Sequence, residues 1–192
     1  EGLMALLDDP ERSLEIMDRT ADWSIALAVA QVRRGADAIK VSSPFAGSGF
    51  LSPDMYEEFI LPFEGRLAKA VREEGKPIYT HTCGAIGDRL DLLCQVGVSG
   101  IECLDPPPLG DVDITEAVHL LKGRIFIKGN IDPVNTLLRG DTSKVKEDVT
   151  QVLGAAMEMD GFILSSACSV APPAPPDNLK YMVDLCREIT AQ

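Results

Sequence analysis

The sequence predicts an α/β fold, and specifically the C-terminal part of a (β/α)8 TIM barrel. Apolar runs of strand length alternate with helical patterns five times along the chain, which is typical of parallel strands joined by helical crossovers. Each run follows a Gly or a Gly-containing turn. A whole barrel needs eight strands and about 250 residues, whereas this chain has 192 residues. We interpret residues 1–192 as one domain carrying strands four to eight of a barrel; a doubly wound sheet is the competing architecture.

The predicted helices begin at capping residues and end at glycines. Asp9 suits the N-cap of a long helix and Pro10 its first position, where the missing N–H costs nothing. Pro62 lies inside the second helix and is expected to kink it. The helices are predicted over residues 10–34, 52–74, 86–96, 114–121, 143–157 and 177–189.

The predicted strands are short apolar runs between these helices. They are ADAIKVS (36–42), KPIYTHTC (76–83), SGIECL (99–104), RIFIKGN (124–130) and GFILSSA (161–167). The proline-rich stretches Pro106–Pro108 and Pro172–Pro176 each follow a strand, so we predict that both are βα loops. In a barrel, loops of that kind carry the active site.

Composition narrows the classes of partner. The net charge of −12 argues against binding to a nucleic-acid backbone, which requires a basic surface. No run of about 18 apolar residues and no signal peptide is present, so we expect a cytoplasmic chain with no membrane partner. The chain begins without Met, as a piece of a larger protein would. Five cysteines, an odd number, make a disulfide framework a poor expectation and suggest buried, metal-bound or catalytic thiols.

Three soft ligands are predicted to meet at one rim of the barrel. His81 and Cys83 lie two residues apart at the end of one strand, and Cys168 follows the end of the last strand. The carboxyl ends of parallel barrel strands open on the same face, so these side chains should converge. One imidazole and two thiolates suit zinc, and three protein ligands leave the open position of a catalytic site.

Two carboxylates compete for the fourth position. Strand alternation places Ile101 and Cys103 on the helix side and turns Glu102 into the barrel, where a charge needs a metal or a partner. Asp105 lies just beyond the same strand and is the alternative, although a loop carboxylate can also simply face water. We therefore name Glu102 and Asp105 as candidate catalytic residues.

The segment Gly129-Asn130-Ile131-Asp132-Pro133 follows the fourth predicted strand. Asn130 and Asp132 can hydrogen-bond nearby backbone in a structural βα turn. They can equally contact a substrate or the groups around the metal, and we name both as candidate substrate-binding residues.

Several of these segments together resemble a known family. HTCG, GIECLDPP, KGNIDP and ILSSACSVAPPAPPDNLKYMV resemble, in order and spacing, the uroporphyrinogen decarboxylase superfamily. The H-x-C…C pattern resembles its zinc- and corrinoid-dependent methyltransferase branch, such as the methylcobamide:coenzyme M methyltransferases. True decarboxylases of that superfamily lack the metal and carry a His-containing motif where this chain has Ala167-Cys168-Ser169. The proline-rich loop after GIECLD departs from the coenzyme M enzymes and leaves the acceptor open.

The resemblance implies a zinc ion on His81, Cys83 and Cys168, with an acidic residue, Glu102 or Asp105, as a resting ligand. It also implies transfer of a methyl group between a corrinoid on a partner protein and a small thiol or methylated small molecule. Two other functions remain open. One is decarboxylation of a tetrapyrrole without metal, and the other is a structural zinc in a degenerate, non-catalytic barrel. Homodimerisation would be one way to pair exposed strand edges.

Overall fold

Five parallel strands form the centre of the computed structural model, which describes residues 2–191. The strands are β1 (Ile39–Ser42), β2 (Ile78–Thr82), β3 (Gly100–Cys103), β4 (Phe126–Ile131) and β5 (Phe162–Ser166). Each strand pairs in parallel with the next one along the chain, in the order β1-β2-β3-β4-β5. Strand order does not reverse anywhere, as it would in a doubly wound sheet. The predicted α/β part of a barrel is therefore confirmed.

Helices precede the first strand, connect successive strands and follow the last one. They are α1 (Gly2–Asp8), α2 (Pro10–Arg33), α3 (Pro53–Phe59), α4 (Leu61–Glu73), α5 (Leu90–Gln95), α6 (Ile114–Leu121), α7 (Thr142–Ala156) and α8 (Pro176–Thr190). A 3-10 turn at Gly87–Arg89 precedes α5, and a π-helical turn at Pro133–Leu138 follows β4. The predicted cap at the start of α2 is present, because the Asp9 side chain accepts a hydrogen bond from the Arg12 N–H.

The helix predicted over residues 52–74 is two helices rather than one kinked helix. Ile60 ends α3 and begins α4, so Pro62 falls in the first turn of α4. A proline removes no hydrogen bond there, whereas inside a continuous helix it would. The α1 helix and the π-helical turn were not predicted, because segments this short carry too little periodicity to be recognised.

Alternation along the strands separates a helix-facing side from the side that faces the barrel interior. Ile78, Ile101 and Ile127 are fully buried against the surrounding helices. On the other side the parallel register sets His81 beside Glu102, and Glu102 beside Lys128. A row of polar and charged side chains therefore crosses the inner face of the sheet.

The sheet is open in the part of the chain that the structure describes, and β1 and β5 each have one neighbouring strand. Ile163 of β5 is 51% exposed, whereas the adjacent Phe162 and Leu164 are partly buried and pack against the core. Within residues 2–191, no helix combines the length and the apolarity that a bilayer crossing requires.

Candidate metal centre

Four side chains that could bind a metal ion meet at the carboxyl end of the sheet. His81 is the second-to-last residue of β2, and Cys83 directly follows that strand. Cys103 is the last residue of β3. Cys168 lies just beyond β5. Parallel strands deliver all four to one rim, as predicted for His81, Cys83 and Cys168.

The donor atoms of this group are close enough for one ion. The Nε2 atom of His81 is 3.1 Å from the Cys83 sulfur, and the sulfurs of Cys83 and Cys168 are 3.6 Å apart. The donor atoms of all four residues, including Cys103, lie within 4.8 Å of one another. In a tetrahedral zinc site with bonds of about 2.3 Å, two sulfurs are about 3.8 Å apart. Three thiols and an imidazole are also the ligand types that zinc prefers, so the residues fit this ion.

Cys103 was expected to pack against a helix, and the structure instead aims it at the other three donors. The alternation of β3 stops at its end, because Cys103 has φ +92° and Leu104 has φ +55°. Left-handed backbone is unfavourable for residues other than glycine, by about 1–3 kcal/mol each, and such residues cluster at functional sites. Leu104 fills the helix-facing position instead and is fully buried. A cysteine at a strand end on the same rim was the sequence signal that could have identified it.

The neighbouring strand holds this left-handed turn in place. A side chain at Gly129 would put its Cβ 2.7 Å from the carbonyl oxygen of Cys103, so only glycine allows β4 to approach so closely. The Asn130 side chain donates a hydrogen bond of 3.0 Å to the carbonyl oxygen of Leu104. The Gly129-Asn130 pair therefore supports the backbone that carries Cys103.

Glu102 points into the barrel, as strand alternation predicted, and lies behind His81 rather than among the four donors. Its Oε1 atom is 2.8 Å from the Nδ1 atom of His81, the ring nitrogen that faces away from Cys83. The Nδ1 atom of His81 has no well-aligned hydrogen bond. The Glu102 carboxylate is the polar group that contacts this nitrogen. A carboxylate behind a histidine fixes the ring orientation and makes the other nitrogen a better metal ligand.

Two lysines keep Glu102 ionised. Lys40 donates to Oε1 at 2.8 Å and Lys128 donates to Oε2 at 2.5 Å. Burial alone would raise the pKa of Glu102, but the hydrogen bonds from Lys128 and Lys40 outweigh burial and lower this pKa. The same contact with Glu102 raises the pKa of Lys40. Glu102 is therefore an anion at neutral pH, and Lys40 and Lys128 join the site through their contacts with it.

Asp105 connects the loops after β2 and β3. Its Oδ2 atom accepts a hydrogen bond from the Gly84 N–H at 2.7 Å and another from the Cys103 thiol at 3.3 Å. The other oxygen, Oδ1, is buried and has no partner among the described residues. Asp111 supports the same loop, because it accepts hydrogen bonds from the N–H groups of Ile86 and Gly87. Asp105 thus holds the segment that carries Cys83 and also contacts Cys103.

Two of the thiols, Cys83 and Cys103, have pKa values above the ordinary range when no cation is beside them. Burial, followed by the neighbouring Cys168 thiol, raises the pKa of Cys83 to about 11. Burial and the Asp105 carboxylate raise the pKa of Cys103 well above its ordinary range. A metal beside Cys83 and Cys103 would favour their thiolate forms, because metal binding displaces the thiol proton.

Asn130 and Asp132 make their hydrogen bonds to the chain itself. Asn130 contacts Leu104 as described, and Asp132 caps the π-helical turn by accepting from the N–H groups of Val134 and Asn135. Both also line a cavity of about 370 Å³ beside Pro106–Pro108, which none of the four metal-binding side chains lines. A substrate-binding role for Asn130 and Asp132 stays a prediction.

The known proteins that resemble this chain include methyltransferases and decarboxylases. Methylcobamide:CoM methyltransferase MtbA of Methanosarcina acetivorans is 30% identical over 172 residues, covering 90% of this chain and 48% of that protein. Uroporphyrinogen decarboxylase of Syntrophotalea carbinolica is 29% identical over 183 residues, covering 94% of this chain and 50% of that protein. The chain thus spans about half the length of the curated relatives it matches.

The fold also matches a solved structure. A methyltransferase from Methanosarcina mazei superimposes with a TM-score of 0.85 at 23% identity, over 98% of this chain and 53% of that one. At this identity the likeness concerns the fold alone. The sequence model of the uroporphyrinogen decarboxylase (URO-D) family matches residues 1–189. Nearly the whole chain follows the sequence pattern of that family, and the chain therefore belongs to the uroporphyrinogen decarboxylase family.

Proposed function

We propose that this chain binds zinc through His81, Cys83 and Cys168 and takes part in moving a methyl group between a corrinoid carrier and a small thiol. The observation that carries the proposal is the group of thiols and imidazole at the carboxyl rim, whose donor atoms lie within 4.8 Å of one another. Bound zinc lowers the pKa of a thiol beside it, which makes a thiolate nucleophile available at neutral pH.

The residues around the donors support a metal that is held in one geometry. Glu102 is 2.8 Å from the Nδ1 atom of His81 and keeps the ring turned with Nε2 toward Cys83. Lys40 and Lys128 balance the charge of Glu102, so this carboxylate stays beside the histidine and away from the donors. Glu102 is thus a positioning residue in this proposal, and Asp105 positions the loop of Cys83 through Gly84.

The choice of substrates rests on the relatives. Relatives named methylcobamide:CoM methyltransferase are 28–30% identical to this chain over about nine-tenths of its length. Their names indicate a corrinoid methyl donor and a thiol acceptor. For this chain we propose a corrinoid protein as partner and a small thiol, or a methylated small molecule, as the second substrate.

Relatives named uroporphyrinogen decarboxylase match almost equally well, at 28–29% identity. A metal-free decarboxylase of a tetrapyrrole is therefore the second candidate. It has no use for three thiols and an imidazole at the active rim, and this is why we favour the zinc enzyme. Metal content separates the two.

The first test is zinc analysis of the full chain and of the Cys83→Ala and Cys168→Ala variants. We expect about one zinc per chain in the wild type and loss of that zinc in both variants. The matched control is Cys186→Ala, a half-buried cysteine on α8 that packs against the core and lies outside the group. A wild-type protein without zinc, or a Cys168→Ala protein with a full complement, contradicts the metal assignment.

The second test asks whether the zinc accepts a thiol-like substrate. X-ray absorption at the zinc edge is recorded with and without a small selenol, 2-hydroxyethaneselenol, which replaces sulfur by a heavier scatterer. A selenium neighbour of zinc supports thiol activation. Zinc with no selenium neighbour contradicts thiol activation and favours a structural metal or a role on the methyl-donor side.

A further inference from the structure

We propose that Cys103 is the fourth zinc donor of the resting site and the one that gives way when the thiol substrate arrives. The inference rests on the proposed function, because it concerns the same ion. It differs from the sequence-based expectation, in which a carboxylate, Glu102 or Asp105, would occupy this position.

The distances place Cys103 among the donors. The Cys103 sulfur lies within 4.8 Å of every donor atom of His81, Cys83 and Cys168, and neither carboxylate belongs to that group. Glu102 is instead held on the far side of the His81 ring by Lys40 and Lys128. Cys103 is only 1% exposed, so its sulfur faces these donors and not solvent.

The chain adopts an unfavourable backbone conformation to bring Cys103 to these donors. Regular alternation would send this side chain to the helices together with Ile101. The left-handed φ values of Cys103 and Leu104 redirect it, and Gly129 and Asn130 of β4 hold the turn. A purely structural thiol at this position would gain nothing from the redirection.

Cys103 also has a hydrogen-bond partner outside the donor group. Its thiol lies 3.3 Å from the Oδ2 atom of Asp105 and donates a hydrogen bond to it. Cys83 and Cys168 have no carboxylate within hydrogen-bond distance among the described residues. Of the three cysteines, only Cys103 would therefore have Asp105 as a hydrogen-bond acceptor when it is protonated and not bound to the metal.

The exchange balances in atoms and charge. If zinc is bound, the S–H bond of the incoming thiol would break as an S–H bond forms on Cys103, and the thiolate of the substrate would take the donor position that Cys103 would leave. The number of thiolates at the ion and its net charge are unchanged. Cys103 then donates its new hydrogen to Asp105, in the contact present in this structure.

The experiment counts sulfur and selenium neighbours of zinc in thiol-free buffer, in the full chain and in Cys103→Ser. Cys94→Ser is the matched control, since Cys94 is a half-buried cysteine on α5 that lies outside the donor group. Circular dichroism verifies that each variant is folded. For the wild type and Cys94→Ser we expect three sulfurs, and for Cys103→Ser two sulfurs with zinc retained. Adding 2-hydroxyethaneselenol should then leave two sulfurs and one selenium in all three proteins.

The outcomes separate this inference from the proposed function. Two sulfurs in the resting wild type, or three that persist in Cys103→Ser, overturn the role of Cys103 and leave the three-ligand zinc enzyme intact. Three sulfurs plus one selenium in the wild type overturn the exchange, because Cys103 then stays bound. Wild-type protein without zinc overturns the proposed function itself. The number of sulfur neighbours in the wild type is measured without any variant. The role of Cys103 can therefore be overturned even if the Cys103→Ser protein misfolds.

Discussion

In the proposed zinc site, Glu102 supports the ligand His81 and is not itself a ligand. The carboxylate is 5% exposed and lies against His81, Lys40 and Lys128. Its two lysine contacts lower its pKa in spite of burial, so it remains charged beside the histidine. The orientation and basicity of His81 therefore depend on a residue of the next strand.

The variant Glu102→Gln keeps the shape and removes the charge. We expect zinc affinity to fall by about 10–100-fold, the usual effect of changing a partner behind a metal-binding histidine. Competition with a colorimetric chelator measures it. The matched control is Glu116→Gln, an exposed glutamate on α6. Equal affinities in the two variants would show that Glu102 does not support His81.

Glu64 is a second buried carboxyl, on the helix side of the sheet and away from the donors. It is 6% exposed and accepts hydrogen bonds from the hydroxyl groups of Ser43 and Tyr56. Burial raises the pKa of Glu64, and the hydrogen bonds offset this only in part. The folded-state pKa is thus above the unfolded value, so the stability that Glu64 contributes is present at low pH and is lost as pH rises through the folded pKa.

The variant Glu64→Gln removes this titration. As pH rises above 4.5, the ordinary pKa of a glutamate, we expect the wild type to lose stability relative to Glu64→Gln, by at most about 1.4 kcal/mol per pH unit. Urea unfolding at several pH values gives the difference, and Glu57→Gln, an exposed residue of α3, is the control. A difference that is constant with pH, or that grows in favour of the wild type, would refute the raised pKa.

At the scale of elements, the end of β3 depends on its neighbour β4. Cys103 and Leu104 have left-handed φ values, and the close approach of β4 at Gly129 leaves no room for a side chain there. Asn130 holds the Leu104 carbonyl from the same strand. Two adjacent residues of β4 therefore determine where the end of β3 points.

Adding one methyl group at two glycines tests this dependence. Gly129→Ala would place Cβ 2.7 Å from the Cys103 carbonyl, and we expect a loss of about 1–3 kcal/mol in stability together with weaker zinc binding. Gly154→Ala in α7 meets no atom within 4 Å and should stabilise the protein by about 0.5–1 kcal/mol. Urea unfolding measures both variants. A Gly129→Ala protein as stable as the wild type would show that β4 can move away freely.

At the scale of the whole molecule, the proposed zinc joins strands that are distant in sequence. Cys83 and Cys168 are 85 residues apart, and their sulfurs meet at 3.6 Å. A metal there links β2 and β3 to the region beyond β5. Ligand binding to the folded state alone stabilises it, by about 4 kcal/mol when the free ligand is a thousandfold above its Kd.

Removal of zinc should therefore lower the melting temperature of the entire chain. We expect a chelator to reduce Tm by roughly 10 °C under such saturating conditions. The Cys83→Ala variant should melt at the lower temperature with or without chelator. Differential scanning calorimetry provides the measurement. If the chelator leaves the wild-type Tm unchanged, the four donors do not hold a metal that links the strands.

Much of the fold could be predicted from sequence because its signals are local. Five apolar runs separated by helical patterns indicated the parallel sheet, and Asp9 indicated the cap of α2. The broken helix at Ile60 could not be placed, because Pro62 tolerates either a kink or a new first turn. Which of the two forms depends on what packs around Tyr56 and Phe59, and that is tertiary information.

The sequence was enough to place His81, Cys83 and Cys168 at or just beyond strand ends, and a parallel barrel brings strand ends to one rim. It also determined that Glu102 points inward, since side chains alternate along a strand. Only the tertiary structure decided that Glu102 lies behind His81 and that Cys103 joins the donors. The reason is physical: the left-handed turn at Cys103 is supported by Gly129 and Asn130, about 26 residues further along the chain, and no local pattern records that contact.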